Sequence, residues 1–432
     1  MEGIPTQVMR DKLHNLPLEN HHLLLLACLQ KKSDPKWISD QMKLMTEGEW
    51  ASFSESITRQ GVTPLIYKRL KQNSLTELLP HKLFSYLQYS YFSNTAKVVR
   101  LTDAYFQIKK AFDVAGIKVI ALKGVHLANS VYQHPGERQM CDLDILVPKK
   151  DLYRASCILA ECGYQSQREI TEDELTEDME KHLPPFYSRN GSLMLELHWN
   201  IANQENNLSV AIEHLWDQST IQMVNDLEMN VLCPADLLLH LCIHSIFSHD
   251  LEINLKTLCD ISLLIEHYGD KLHYDDIILT AKKWELGKSV FLMLELVNNL
   301  LYTSIPDQAL STIRYKSMPL MTQHAIDIIF HTKSIKFSND KVNRSLPYSR
   351  PLIKKYNAII PLLFPSLHKT LRVHKLPKNT SPLIAYGIHY QEFIRIKAQK
   401  LTTFLFFNKS SNKPIIQEYK THKALMDWIA EP

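Results

Sequence analysis

No stretch of this 432-residue chain approaches the roughly 18 uninterrupted apolar residues that a membrane-spanning helix requires. The apolar clusters Leu23–Leu26 and Phe404–Phe407 are too short, which argues against a transmembrane segment. The start, Met1-Glu-Gly-Ile-Pro, lacks a basic region followed by an apolar segment and a small-residue cleavage site, so the cytoplasm is the expected compartment. No Cys-x-x-Cys pair occurs, and the seven cysteines are an odd number. Cys28, Cys141, Cys157, Cys162, Cys233, Cys242 and Cys259 are therefore expected as reduced thiols, mostly in the core, rather than as a disulfide framework. A convincing internal repeat is also missing. With 45% hydrophobic and 22% charged residues, the composition is that of an ordinary globular protein long enough for two or three domains.

The informative residues are concentrated between Ile117 and Val147. Ile117-Lys-Val-Ile-Ala-Leu122, entered through Gly116, reads as a buried strand, followed by a turn at Lys123-Gly124 and a helical pattern over Val125–Tyr132. A strand, a glycine turn and a helix N-terminus gather backbone N–H groups at one point, where a phosphate can bind, and Lys123 and Arg138 add positive charge. Two carboxylates then follow one residue apart. In a strand, Asp142 and Asp144 share one face, while Leu143, Ile145 and Val147 face a core. Like charges that close repel unless a cation lies between them. Mg²⁺ binds through one or two carboxylates and keeps its remaining positions for water and phosphate oxygens, so this pair suits a polyphosphate substrate.

A third carboxylate lies downstream. In Leu193-Met-Leu-Glu-Leu-His-Trp199, Glu196 and His198 share a face with Met194, opposite Leu195 and Leu197. Pairing of this strand beside the Asp-Leu-Asp strand would complete a three-carboxylate cluster of the kind that clamps the attacking and leaving oxygens in phosphoryl or nucleotidyl transfer.

Leu122-Lys-Gly, Tyr132-x-x-Pro-Gly-x-Arg138, Asp142-Leu-Asp-Ile-Leu-Val and Leu195-Glu-Leu-His-Trp199, in that order, resemble the bacterial nucleotidyltransferase-like proteins of the DNA polymerase beta superfamily. The branch resembled is a poorly characterised one with a large helical portion. His22-Leu-Leu-Leu-Leu-Ala-Cys-Leu, Gly61-Val-Thr-Pro-Leu-Ile-Tyr67, and His240-Leu-Cys-Ile-His244 through Leu258-Cys-Asp260 are of its type too, so the resemblance spans roughly residues 20 to 300. It implies a mixed sheet carrying an NTP site, with Asp142, Asp144 and Glu196 as Mg²⁺ ligands (Mn²⁺ being the alternative ion). Lys123, Gly124 and Arg138 then contact the nucleotide, and His198 supports Glu196. The wider superfamily places a Gly-Ser turn at the triphosphate. Here the turn is Lys123-Gly124-Val125, without a hydroxyl, so Lys123 must replace those contacts.

Elsewhere the patterns are mainly helical. Breaks at Asp34-Pro35, Gly61 and Leu79-Pro80 divide the first hundred residues, and long amphipathic stretches cover Ala235–Ser248, Leu255–His267, Asp275–Trp284 and Gly287–Leu301. Asp151–Glu161 reads as a helix followed by a strand near Tyr164, and the acidic stretch from Glu169 to Glu180 as a solvated insertion. The expected fold is α+β: a small mixed-sheet nucleotidyltransferase core at 111–230, between helical regions at 1–110 and 231–330, with a basic region at 331–432. His240 and His244 share a helical face but lack the glutamate of the zincin signature, so helix packing or lining of the nucleotide cleft is expected ahead of zinc. Lys256 and Asp260, four apart, read as a helix-face ion pair.

From His331 onward there are 18 Lys+Arg against 5 Asp+Glu, a balance of +13, against −10 for the residues before it. Clusters at Lys354-Lys355, Lys369 to Lys378 and Arg395 to Lys400 form either a polyanion-binding surface or a solvated basic face. The expected reaction is nucleoside monophosphate transfer from an NTP such as ATP to an acceptor, which is a small molecule, peptide, protein or RNA. The alternatives are a nucleotide-sensing or partner-binding protein without turnover and a toxin-like transferase acting on RNA or protein.

Overall fold

A computed structural model describes residues 18–168, 170–172, 181–203, 206, 208–247, 251, 253–311, 318–331, 370, 380–391 and 413–430. The turn signals of the first hundred residues separate five helices: α1 (Asn20–Leu29), α2 (Pro35–Leu44), α3 (Glu47–Arg59), α4 (Thr63–Gln72) and α5 (His81–Val114). Asp34 caps α2 by accepting from the Lys36 and Trp37 N–H groups, with Pro35 in the first helical position, where its missing N–H costs nothing. Thr46 and Glu49 form a reciprocal capping box on α3. Every residue of α1 from His21 to Leu29 is buried, so this helix runs inside the protein rather than over it.

The central section alternates short strands and helices: β1 (Ile120–Ala121), α6 (Lys123–Ser130), β2 (Leu143–Leu146), α7 (Leu152–Glu161), β3 (Tyr164–Ser166), β4 (Phe186–Ser188), β5 (Met194–His198), α8 (Ile212–Asp217), β6 (Thr220–Val224) and β7 (Leu227–Val231). The strands form one mixed sheet in the order β3-β4-β5-β2-β1-β7-β6. The β2–β5 and β1–β7 pairs are parallel, and the other pairs are antiparallel. One face packs Leu143, Ile145, Val147, Leu195 and Leu197 against Val98, Leu101, Tyr105, Ile108 and Phe112 of α5 and Leu152, Ala155 and Leu159 of α7. Period-two alternation therefore turns Asp144, Glu196 and His198 to the opposite face. This α+β architecture is the one expected. The strand read over Ile117–Leu122 is only two residues long, and helix α6 begins at Lys123 rather than Val125, so Lys123 and Gly124 form its first turn.

Helices α9 (Pro234–Phe247), α10 (Leu255–Tyr268), α11 (Tyr274–Lys283), α12 (Gly287–Leu301), α13 (Asp307–Ser311) and α14 (Met318–His331) follow, the first four within a residue of their sequence-based bounds. The chain divides into two compact units, Met1–Phe330 and His331–Pro432. In the second, residues 382–391 and Lys413–Ala430 are helical. The basic clusters at 354–355, 369–378 apart from Thr370, and 395–400, and the acidic stretch 169–180 apart from residues 170–172, lie outside the described residues. No helix among the described residues is long and apolar enough to cross a membrane.

All seven cysteines are free, but the expectation that most lie in the core needs correcting. Cys28, Cys242 and Cys259 are buried, whereas Cys141, Cys157 and Cys162 are exposed and Cys233 is half-buried. In α7 the inward stripe is Leu152, Ala155, Ser156 and Leu159, which leaves Cys157 on the outer side.

Candidate active site

The register of β2 against β5 sets Asp144 opposite Glu196 and Leu146 opposite His198. Adjacent strands lie about 4.8 Å apart, so the polar side chains meet on the face turned away from α5. His198 Nε2 lies 2.9 Å from Asp144 Oδ1 and 3.3 Å from Glu196 Oε2, and Lys123 Nζ lies 3.1 Å from Asp144 Oδ2. Ligand atoms of Asp144, Glu196 and His198 all lie within 4.8 Å of one another.

His182 adds a fourth group. Its segment is pinned to the end of β5 by Leu183 N–H donating to Leu197 O and Trp199 N–H donating to Lys181 O. His182 Nδ1 lies 2.7 Å from the Leu183 carbonyl, which can only accept, so Nδ1 carries the proton. Burial lowers the pKa of this imidazole. In its neutral form the Nε2 lone pair faces Glu196 Oε2 at 3.8 Å, an arrangement of two acceptors that a bound cation would relieve.

The carboxylates differ electrostatically. Asp142, half-buried just before β2, has its pKa pushed up to about 6, first by burial and then by the neighbouring Asp144 charge. Burial alone would raise Asp144 too, but Lys123 and the His198 hydrogen bond outweigh it and hold this carboxyl well below the usual range. At Glu196 burial is likewise outweighed, here by the His198 hydrogen bond, and its pKa is lowered. The tight donor set is thus Asp144, Glu196 and His198, with Asp142 beside it.

Lys123 has φ +28°, an uncommon backbone conformation for a side-chain-bearing residue, and opens α6 with no side-chain cap at Leu122. Gly124 follows because space is short: a Cβ there would come within 3.0 Å of Met140 Cε and 3.3 Å of Arg138 Nη1. Arg138 itself is committed to α10. Its Nε and Nη2 donate to the two carboxylate oxygens of Asp260, each at 2.8 Å, and the Tyr132 hydroxyl donates to Asp260 Oδ1 at 2.7 Å. Asp260 therefore pairs with Arg138, 122 residues away, instead of the expected Lys256. Buried Asn94 of α5 holds the Arg138 segment in place: its Nδ2 donates to the Gly136 and Arg138 carbonyls, and its Oδ1 accepts from Met140 N–H.

His240 is buried on α9, its pKa driven far down by burial and then by the charges of Lys123, Lys181 and His198, and the charge of His244 helps lower Asp144. Both histidines thus lie within electrostatic reach of the carboxylates, although neither belongs to the three-residue donor group.

Residues 46–302 match a family described as uncharacterised nucleotidyltransferase. The chain belongs to this family. The matched span starts at the Thr46 cap of α3 and ends at Tyr302, the residue after α12, so it takes in every side chain of the site described above. No curated protein matches the chain. The protein is accordingly a nucleotidyltransferase, and its acidic and histidine side chains form a group able to hold a divalent metal ion. Sequence reasoning on this nucleotidyltransferase missed Asn94, His182 and the true partner of Asp260. Asn94 carried no local signal, and His182 stood at the edge of the acidic insertion. The Arg138–Asp260 bond joins elements too far apart in sequence for spacing to indicate.

Proposed function

We propose that the protein is a divalent-metal-dependent nucleotidyltransferase of the DNA polymerase beta superfamily, moving a nucleoside monophosphate from an NTP to an acceptor and releasing pyrophosphate. The observation that carries this reading is the parallel β2–β5 register, which sets Asp144 opposite Glu196 with Lys123 on the first carboxylate. The Asp144 and Glu196 carboxylates, with ligand oxygens within 4.8 Å of each other, suit a six-coordinate cation that shares its remaining positions with water and phosphate oxygens, and Asp142, which feels the Asp144 charge, would extend the set. Mg²⁺ is the ion we propose, with Mn²⁺ as its substitute. Such an ion, when bound, offsets charge on the phosphates as the leaving group departs.

The chain's own groups do the rest. Lys123 and the uncapped N–H groups of α6 hold the triphosphate, and Gly124 lets it approach. Arg138, held by Asp260, turns Nη1 toward the same turn. Glu196 accepts the proton as the acceptor oxygen attacks Pα, a new P–O bond forms, and the bond to the pyrophosphate oxygen breaks. His198 orients both carboxylates from between them. Residues 111–230 would form the catalytic core, flanked by helical regions at 1–110 and 231–330, with 331–432 basic. The seven free thiols fit a reducing compartment such as the cytoplasm.

Transfer of label from α-³²P-NTP in the presence of cell extract, with pyrophosphate release measured in parallel, tests the reading. Glu196→Gln should lower transfer by at least about 10²-fold. Wild-type protein that binds NTP but releases no pyrophosphate with Mg²⁺ or Mn²⁺ would make the protein a sensor instead. Robust transfer by Glu196→Gln would move the metal site elsewhere.

A further inference from the structure

By helical spacing, Lys256 should pair with Asp260 one turn later, but that carboxylate is already saturated. Arg138 takes both oxygens, and the Tyr132 hydroxyl adds a third bond. Lys256 makes no ion pair among the described residues, although it is half-buried in the first turn of α10. Its position is nevertheless built. Lys256 N–H donates to Gln60 O, and Leu255 N–H donates to the Gln60 side chain, whose Nε2 in turn bonds Ile329 O of α14. The methylene stem lies over Gly61, where a Cβ would meet Lys256 Cδ at 3.4 Å; at φ +67° a larger residue would also be strained. The charges that act on its ammonium group are those of Arg138, Asp260, Asp142 and Cys141. Asp142 thus feels two lysines, Lys123 and Lys256, of which only Lys123 has an ion-pair partner.

A half-buried cation with no counter-ion costs stability, and such a group persists where a ligand supplies the missing charge. We propose that Lys256 is a substrate-binding cation of this transferase that contacts the phosphates leaving as pyrophosphate. This rests on the nucleotidyl-transfer reading. Lys123 and Arg138 each already hold a carboxylate, whereas Lys256, one helical turn before the Asp260 that carries Arg138 to Gly124, adds to them a cation without a carboxylate partner among the described residues for the departing group. It acts by binding and carries no proton in the reaction.

The test is calorimetric titration of wild type, Lys256→Met and Lys256→Arg with inorganic pyrophosphate plus Mg²⁺, alongside thermal melting. Methionine keeps the stem and removes the charge. Pyrophosphate affinity should fall at least about tenfold in Lys256→Met and be largely retained in Lys256→Arg, with the melting temperature of Lys256→Met unchanged or raised. Equal pyrophosphate affinity in wild type and Lys256→Met overturns the proposal. So does a lowered melting temperature in Lys256→Met, which would make the lysine structural. If wild type binds pyrophosphate through Lys256 but transfers no nucleotide, the anion site stands and the transferase reading falls.

Discussion

Burial and charge pull in opposite directions at Asp144, and charge wins because two donors, Lys123 and His198, reach separate oxygens of one carboxylate. His126, on the first turns of α6, has no such help. It is fully buried, neither ring nitrogen has a hydrogen-bond partner among the described residues, and burial followed by the His267 charge lowers its pKa to about 3. The unfolded chain, with an ordinary histidine pKa near 6.5, binds the extra proton first. Stability from this residue is therefore complete above about pH 7 and is lost as pH falls from about 6.5 toward 3, reaching about 2 kcal/mol at pH 5. Denaturant titrations at pH 7 and pH 5 should show wild type losing about 2 kcal/mol more than His126→Leu over that interval. Equal losses would mean the ring is solvated.

Between elements, the segment from Gly136 to Met140 has no strand pairing of its own and depends on α5. Asn94 supplies its three anchoring hydrogen bonds from one buried side chain. At roughly 1 kcal/mol each, their loss in Asn94→Leu should cost about 3 kcal/mol, more than most single substitutions. Because the same segment carries Arg138 toward Gly124, NTP affinity should fall as well. A chemical-denaturation midpoint and an NTP titration on the same variant check both effects, and an unchanged midpoint would show that the segment holds itself.

At the scale of the larger unit, the Arg138–Asp260 pair ties the segment that leads into the central sheet to the helices that follow it. Both side chains are nearly inaccessible, at 6% and 1% exposure as residues, so removing one leaves an uncompensated buried charge. Asp260→Ala should therefore destabilise the protein by about 3–5 kcal/mol. The double variant Arg138→Met, Asp260→Leu should regain much of that loss, since an apolar pair of similar volume needs no desolvation. Thermal melts of the two variants decide it: a double variant no more stable than Asp260→Ala would mean the bond contributes geometry that packing cannot replace.

The sequence by itself determined the pieces whose physics is local. Alternation in Leu143–Val147 and Leu193–Trp199 separated core residues from polar ones, capping and proline signals bounded the helices, and the ordered motifs indicated a nucleotidyltransferase. It also set Asp144, Glu196 and His198 on strand faces suited to a shared site. Tertiary structure alone decided which groups meet there. The β2–β5 register, the return of residues 181–183 to the end of β5, and the choice of Arg138 over Lys256 as partner for Asp260 all depend on contacts between residues 14 to 122 positions apart. Neither spacing nor periodicity encodes such pairings, because they follow from how apolar faces pack and leave each buried charge to the nearest partner of opposite sign.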